Sequence, residues 1–542
     1  MPPAFPTLTG WEDAFHEILS YLKPSQYFVF DDKEEVATRF FLRRTLLSLA
    51  VSCRAFFDPA LDILWYSLDN IHPLLKLLPT YQRHDSVYYL EGGISPEAWS
   101  RLRTYAARVR GVTFSRKAGI DTSVWRIILE QCQGTPLLPN LRKFHTIKLN
   151  ASHLFALRAF ASPSLRGVYL EFYEDLRGEE NPHTVAPIAG FALQEYSIKA
   201  PEITSLCVFP DLAISREHLT CLSRFTHLEE LYLKDHLTFD EDLLLLLVNL
   251  RDLTHMKLSV LLRDSTTYGP LDLTQGFQKL TRLTLGGQPA HLARFMLACS
   301  MPRLNDLSLL PGSRPADGLD TSLASICRHI GPHTLTRFET QVENFVRPPR
   351  FLMTFLQPLL PFSKLEEVVF YVKALPLHDM DFFRIARAWP KLRMLRLKES
   401  PITISDPDRE PGSVVRPTIH ALVELARHCP RLTCLCIPEL DASVLPLVDC
   451  VPRLGHGPLD LCIQNLVGAE DEETQFVIAA VLDRLFPRLD LEYGIEELRG
   501  YGGNVNPFLE DSENISLLLR AMQQGREHYP RGVERLDELE PL

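Results

Sequence analysis

The feature that most constrains the fold is a short leucine pattern that returns through most of the chain. Between about residues 139 and 490, a Pro or turn-forming residue is followed by Leu-x-x-Leu-x-Leu. Clear copies are "PNLRKFHTIKL" from Pro139, "FTHLEELYL" from Phe225, "MPRLNDLSL" from Met301 and "WPKLRMLRL" from Trp389. The leading apolar positions are mostly 22–31 residues apart. A period of this size indicates stacked supersecondary units, which bury their apolar faces against one another.

Sequence with helical periodicity lies between the copies. "AHLARFMLAC" precedes "MPRL", and "IHALVELARHC" precedes "PRL". Because proline disturbs the backbone before it, each unit is predicted to be a helix, a Pro-marked turn and a short strand. The expected fold is an α/β solenoid with a parallel strand ladder on its concave face and helices on its convex face. Wider gaps after Leu165, Leu392 and Leu454 are expected to hold a degenerate repeat or a loop.

The repeated segment resembles the leucine-rich-repeat family, in its irregular variety that contains helices and cysteines. The resemblance covers about 350 residues and rests on about a dozen copies of the Leu-x-x-Leu-x-Leu pattern. The Asn or Cys that usually follows the strand in this family is mostly missing here. The resemblance implies the same solenoid architecture as the periodicity.

Composition excludes several classes of protein. The formal net charge of −11 argues against a general nucleic-acid interaction. Eleven cysteines form no dense framework, which fits a reducing compartment. The opening "MPPAFPTLTG" lacks the features of a signal peptide, and the aliphatic run Leu243–Leu250 is too short to cross a bilayer. We therefore expect a cytoplasmic or nuclear protein without a membrane partner.

A differently patterned segment precedes the repeats. "WEDAFHEILSYLKP" from Trp11 carries apolar residues at helical spacing, and the acidic stretch Asp31–Glu35 is expected to be a loop. "FLRRTLLSLAVSCRAFF" reads as a helix that is apolar on nearly every side. Asp58 and Pro59 then form a helix-start signal, with Asp as the N-cap and Pro at the first helical position. Such a helix needs cover on more than one side.

This front segment, over roughly residues 8–80, resembles an F-box. The matching residues are Glu17, Ile18, Tyr21, Leu22, Leu46, Leu47, Leu49, Ala50, Cys53, Arg54, Phe56, Leu64 and Trp65. The usual Leu-Pro opening is replaced by Trp11-Glu12. The resemblance implies docking on the Skp adaptor and, through it, on a cullin-RING ubiquitin ligase of the SCF type. The residues expected to bind the adaptor are Ile18, Leu19, Leu22, Leu46, Leu49 and Phe56.

Three domains are predicted. Residues 1–80 form the F-box-like helical domain, and residues 81–490 form the irregular leucine-rich-repeat solenoid. Residues 491–542 form a capping helix and an acidic tail, with five Lys and Arg against eleven Asp and Glu.

The concave face is expected to bind a protein substrate. Alternation along each strand directs the repeated Leu inward and the residues between them outward. The candidate substrate-binding residues are Lys148, Tyr169, Tyr232, Lys257, Arg282, Arg337, Tyr371 and Arg396. Arg and Tyr suit recognition of an acidic or phosphorylated segment. The alternative is that these are ordinary solvated strand residues.

The sequence contains no recognisable catalytic or metal-binding motif. His428, Cys429, Cys434 and Cys436 cluster in sequence, but strand and helix geometry would not bring them to one tetrahedron. We therefore expect no metal, no cofactor and no catalysis by this chain. The predicted function is a substrate-recruiting subunit of an SCF-type ligase. The alternative is a leucine-rich-repeat scaffold or inhibitor whose front helices only cap the solenoid.

Overall fold

The computed structural model divides into two compact units, Met1–Ser259 and Val260–Leu542, which we call the first and second units. The residues it describes are 17, 19, 21–22, 33–52, 54–115, 118–149, 153–172, 185–209, 214–234, 237–263, 271–311, 318–332, 334–342, 351–372, 377–398, 416–454, 459–469, 471–489 and 514–526.

The first unit begins with two helices, α1 (Lys33–Ser52) and α2 (Arg54–Leu64). Two sequence predictions are corrected here. Residues 33–35 belong to α1 rather than to a loop, and Pro59 lies inside α2 rather than at its start. Proline in a helix interior costs about 3 kcal/mol. Burial of Ala60 and Leu61 against α1 offsets this cost, so the helix continues through Pro59.

Parallel strands follow in the first unit, in the order β1-β4-β5-β6-β7-β8-β10. Their bounds are β1 (Ser67–Leu68), β4 (Gly111–Ser115), β5 (Lys143–Ile147), β6 (Gly167–Glu171), β7 (Ser205–Phe209), β8 (Glu230–Leu233) and β10 (His255–Val260). The antiparallel hairpin β2 (Tyr81–His84) and β3 (Val87–Leu90) stands apart, and β9 (Thr238–Phe239) pairs with β10. Ladder strands thus begin at Ser67, well before the first recognisable leucine copy.

Helices connect these strands. They are α3 (His72–Leu75), α4 (Pro96–Ala106), α5 (Thr122–Cys132), α6 (Leu154–Ala159), α7 (Val185–Lys199), α8 (Arg216–Leu219) and α9 (Glu241–Leu247). Side-chain caps start several of them: Ser95 accepts from the amide of Ala98, and Asp240 accepts from that of Leu243. The wide gap after Leu165 contains α7, so that repeat is enlarged by a long helix.

The second unit repeats the same architecture. Its parallel strands are β11 (Arg282–Gly286), β12 (Asp306–Leu310), β13 (Arg337–Val342), β14 (Glu367–Val372), β15 (Met394–Lys398), β16 (Cys434–Asp441) and β17 (Asp460–Val467). Its helices are α10 (Pro289–Ala298), α11 (Leu319–Ile330), α12 (Met353–Leu356), α13 (Asp379–Ala388), α14 (Ile419–His428), α15 (Glu472–Leu485) and a last helix, α16, over residues 514–526.

The C-terminal helix α16 packs on α15. Ile515 and Leu519 are buried, and Arg526 pairs with Asp483 at 2.6 Å. Asn514 donates to the Gln475 amide oxygen at 3.3 Å. These contacts give α15 the cover that the end of a solenoid requires.

Alternation along the strands builds the core of both units. In β6, β7 and β8 every second residue is buried, and the leading leucines, such as Leu141 and Leu280, have no exposed surface. The residue before each strand adds a regular backbone element. Its carbonyl accepts the first two amides of the next repeat, as Arg110 O does from Arg142 (2.7 Å) and Lys143 (2.9 Å). The predicted α/β solenoid preceded by helices is confirmed.

Candidate interaction surfaces

An apolar surface covers one side of α1. Phe40, Leu47 and Val51 are 71%, 53% and 75% exposed, and Phe41 beside them is 67% exposed. At 3.6 residues per turn, the first three fall within about 40° of one another around the helix axis. We call these four residues the front apolar surface. Phe41 lies about 100° from Phe40 around the axis, and these large exposed apolar side chains on one helix mark a candidate interaction site.

The opposite side of α1 packs into the first unit. Leu46 and Ala50 are buried, and Ala50 packs with Ala60 and Leu61 of α2. One side of α1 is therefore covered by its own chain, and its other apolar side remains exposed and needs a partner to cover it.

Ion pairs anchor the front helices. Arg39 and Arg43 of α1 contact the two carboxylate oxygens of Asp69 at 2.9 and 2.6 Å. Arg108, which follows α4, pairs with Asp58 at 2.6 Å and also with Asp62. Because three of these six side chains, Arg39, Asp69 and Arg108, are largely buried, the pairs fix the orientation of α1 and α2 more than exposed pairs would.

The structure places the six residues predicted to bind an adaptor in different environments. Leu19 and Leu46 lie in the protein's own core, 2% and 0% exposed, so as placed they offer no surface to a partner. Leu49 is partly buried against the small core of Ala50, Ala60 and Leu61, and Leu22 and Phe56 are half-buried. Ile18 lies outside the described residues.

Residues of the front apolar surface were missed as candidates, apart from the match of Leu47 to the F-box pattern. The signal was present, because Phe40, Leu47 and Val51 share a helix face. Nothing in the α1 sequence indicated which of its apolar sides would meet α2.

The concave face of the first unit carries aromatic side chains. Register aligns Thr113, His145, Tyr169, Cys207 and Tyr232 side by side on consecutive strands. Lys257 continues this row, which we call the aromatic row. Pairing of neighbouring strands about 4.8 Å apart brings these side chains into contact.

Ring contacts and desolvation define the aromatic row. His145 meets Tyr169 edge-on with centroids 4.3 Å apart, and Tyr169 stacks on Phe209 at 5.1 Å. Burial lowers the pKa of His145 and raises that of Tyr169. Burial, with a contribution from Glu230, raises the pKa of the Cys207 thiol to about 12. The face therefore disfavours charge at its centre.

The concave face of the second unit carries charges instead. Register aligns Arg282, Asp306, Arg337 and Glu367 on consecutive strands, an alternating set that we call the charge row. Arg282 pairs with Asp306 at 2.8 Å, and Arg337 lies 3.9 Å from Asp306 and 3.7 Å from Glu367. Arg337 also donates to Glu339 at 2.9 Å. These carboxylates compensate the two arginines.

The predicted substrate-binding residues divide between these faces. Tyr169, Tyr232 and Lys257 share the aromatic row, and Arg282 and Arg337 share the charge row. Lys148 departs from the prediction: β5 ends at Ile147, and Lys148 has a φ of 52°, so it lies in the turn beyond the strand.

The two remaining candidates lie in the second unit, on different rows. Arg396 donates from Nε to the Cys434 sulfur at 3.2 Å, and Tyr371 lies beside Gln341 near the strand ends. Sequence reasoning missed Asp306 and Glu339 as partners of the arginines. Aligning the repeats by their leading leucines would have placed Asp306 beside Arg282.

The described part of the chain offers no metal site. No group of three or more His, Cys, Asp or Glu there is arranged to hold a metal ion. Cys429 is buried at the end of α14, 3.6 Å from the Trp389 carbonyl, whereas Cys434 contacts Asp460 on the concave side. Burial raises the pKa of Cys429 to about 12, which makes it a poor nucleophile at neutral pH. No described helix is both long and apolar enough to span a membrane.

Comparison with known proteins gives only distant structural likeness. No protein-family model and no curated protein matches the chain. Among solved structures, an internalin (inlF) from Listeria monocytogenes is 16% identical, covers 68% of this chain and 88% of its own, and has a TM-score of 0.34. The complex of Rad7 and Elc1 in yeast is 12% identical, covers 75% and 92%, and has a TM-score of 0.31. At these scores the likeness carries no argument about function, and the fold is defined by the strand ladder itself.

Proposed function

We propose that this chain is a non-catalytic, substrate-recruiting subunit of an SCF-type ubiquitin ligase. Its front helices dock on the Skp adaptor, and its repeat face holds a protein substrate. The observation that carries the proposal is the front apolar surface, which lies on the helix that the F-box resemblance assigns to adaptor binding. The Skp adaptor would cover Phe40, Phe41, Leu47 and Val51, as revised from the sequence prediction.

The energetics of such docking are ordinary. Full burial of a Leu, Val or Phe side chain contributes about 1.5–3 kcal/mol. A specific interface buries about 800 Å² on each partner, and the four side chains would form its apolar centre. Two binding faces on one chain would raise the local concentration of substrate lysines near the ubiquitin-loaded enzyme.

The decisive experiment is co-purification of the full chain with the Skp adaptor. Leu47→Asp should weaken adaptor binding by more than about tenfold, because it places a carboxylate in an apolar interface. Leu245→Asp is a matched control, since Leu245 on α9 is 47% exposed and Leu47 is 53% exposed. Circular dichroism on each protein reports folding. A folded wild-type chain that ignores the adaptor, or an adaptor that binds Leu47→Asp as well as wild type, contradicts the proposal.

A second candidate is a scaffold or inhibitor protein whose front helices only cap the solenoid. One observation favours it: the α2 carboxylates of Asp58 and Asp62 bind Arg108, and Trp65 packs on Tyr105 of α4 at 4.8 Å. These contacts join the front helices to the first repeat. In this case Leu47→Asp leaves every binding partner unaffected, because the front apolar surface has no role.

A further inference from the structure

Three consecutive repeats of the first unit carry arginine at one register position. Arg110, Arg142 and Arg166 each occupy the position before a strand, and Gly111, Lys143 and Gly167 are the register partners that follow them. We call Arg110, Arg142 and Arg166 the arginine strip. Neighbouring strands are about 4.8 Å apart, so the outer two arginines start about 10 Å from each other.

Backbone hydrogen bonds hold the strip in place. Arg110 O accepts the amides of Arg142 and Lys143, and Arg142 O accepts those of Arg166 and Gly167, all at 2.7–2.9 Å. The guanidinium of Arg110 donates to Ala107 O at 2.6 Å, and that of Arg166 donates to Leu165 O at 2.9 Å. Two of the three charges are therefore fixed at the edge of the sheet before any ligand arrives.

The charges of the strip are not compensated by the chain as described. None of the three arginines forms an ion pair with another described residue, and Arg142 and Arg166 are exposed. Like charges at adjacent positions repel one another, and a bound anion would relieve this repulsion.

The second unit shows what a compensated edge is like. At the same register position its repeats carry Thr281, Asn305, Thr336, Glu366 and Arg393. The arginine of this set lies 4.0 Å from the neighbouring glutamate. In the first unit the arginine strip ends at Arg166. The same position carries Thr204 in the next repeat and Glu229 in the one after it, so the positive charges are confined to three repeats.

We infer that the arginine strip is the docking site for an acidic segment of a protein partner, with Asp or Glu side chains. Guanidinium groups bind carboxylate and phosphate oxygens through paired donors, which suits this chemistry. In an extended segment, residues three apart are separated by about 10 Å, which matches the outer two arginines. The inference rests on the proposed function in that it names the class of substrate that the solenoid holds.

The experiment is fluorescence anisotropy on the full chain without the adaptor. The probes are three labelled Gly-Ser peptides, which carry two phosphoserines three residues apart, two glutamates at the same positions, or two unmodified serines. We expect the glutamate peptide to bind and the serine peptide not to bind. The phosphoserine peptide, which carries negative charge at the same positions, should bind as well, and its binding without that of the glutamate peptide overturns the inference in favour of a phosphorylated partner.

Matched charge reversals test the site. Arg142→Glu should weaken anionic-peptide binding at least tenfold, since its side chain has no hydrogen bond within the described chain to lose. Arg303→Glu, an equally charged change at an exposed position before β12 in the second unit, should alter binding less than twofold. Thermal unfolding by circular dichroism should be the same for both variants.

Several outcomes overturn the inference. They are no binding of the glutamate peptide, equal binding by wild type and Arg142→Glu, or binding of a single-stranded oligonucleotide in place of the peptides. Failure of the proposed function is distinguishable, because it appears in the adaptor co-purification and leaves peptide binding intact.

Discussion

The concave faces of the two units share a backbone plan and differ in what they expose. In the first unit the third residues of the strands form the aromatic row, whereas in the second unit the first residues of the strands, Arg282, Asp306, Arg337 and Glu367, form an alternating charge row. The repeat specifies only the buried leucines, so the outward positions are free to vary. Arginines on a concave face therefore do not by themselves make an acid-binding surface. Their neighbours across the ladder decide whether charge remains for a ligand.

The largest expected effect concerns the reactivity of Cys207 at the centre of the aromatic row. Burial there raises the thiol pKa from its ordinary value of 9.0 to about 12, so its thiolate fraction at pH 8 falls about a thousand-fold. Because the thiolate is the nucleophile, alkylation of Cys207 by iodoacetamide should be slower than that of the exposed Cys450 by about two to three orders of magnitude. Mass spectrometry after timed alkylation measures both. Equal rates would mean that the aromatic row is as solvated as the rest of the surface.

A second prediction tests the charge row by its stability. Asp306 is 7% exposed and lies between Arg282 and Arg337, so Asp306→Ala leaves two arginines without their shared carboxylate. We expect a loss of about 1–3 kcal/mol in the free energy of unfolding. The exposed members of the pairs would contribute less than a fully buried pair, because solvent screens them. Urea unfolding followed by circular dichroism measures the change.

The control for Asp306 comes from the first unit. Ser205 is the first residue of β7, two residues before Cys207 of the aromatic row, and its hydroxyl donates to the Glu230 carboxylate at 2.7 Å. Ser205→Ala should change the free energy of unfolding by less than about 1 kcal/mol, because a carboxylate at a half-exposed site can turn to water. If Asp306→Ala and Ser205→Ala lower the free energy of unfolding equally, the charge row contributes no more to stability than a single exposed side-chain hydrogen bond.

The fold was predictable from sequence because its determinants are local. Leu141 and Leu280 recur at the period of one repeat, and each is fully buried where the pattern places it. Lys148 was misplaced because the strand ends one residue before it, in a turn with positive φ that the leucine pattern does not encode. Whether a residue after the leucine pattern still alternates between the core and the concave face depends on the residue at which its strand ends.

The interaction surfaces were less predictable because they depend on packing between elements. Leu46 and Leu47 are adjacent and chemically identical, yet one is in the core and the other is exposed. The difference depends on which side of α1 packs against the rest of the first unit. The sequence of an evenly apolar helix does not indicate that side. Likewise, the pairing of Arg282 with Asp306 joins residues of different repeats, and only the register of β11 and β12 brings them together.

The smallest expected effect is a pH dependence that belongs to the aromatic row. Burial lowers the pKa of His145, so below the ordinary histidine pKa of about 6.5 the unfolded chain binds more protons than the folded one. Stability that is present above this pH is then lost as the pH falls toward the folded-state pKa. His145→Gln should reduce the change in the urea-unfolding midpoint between pH 7 and pH 5 relative to wild type. The wild-type slope should persist in Lys148→Gln, a control at the nearby turn that changes no histidine. A His145 pKa measured by NMR at or above about 6.5 would contradict the desolvation that we assign to the aromatic row of the first unit.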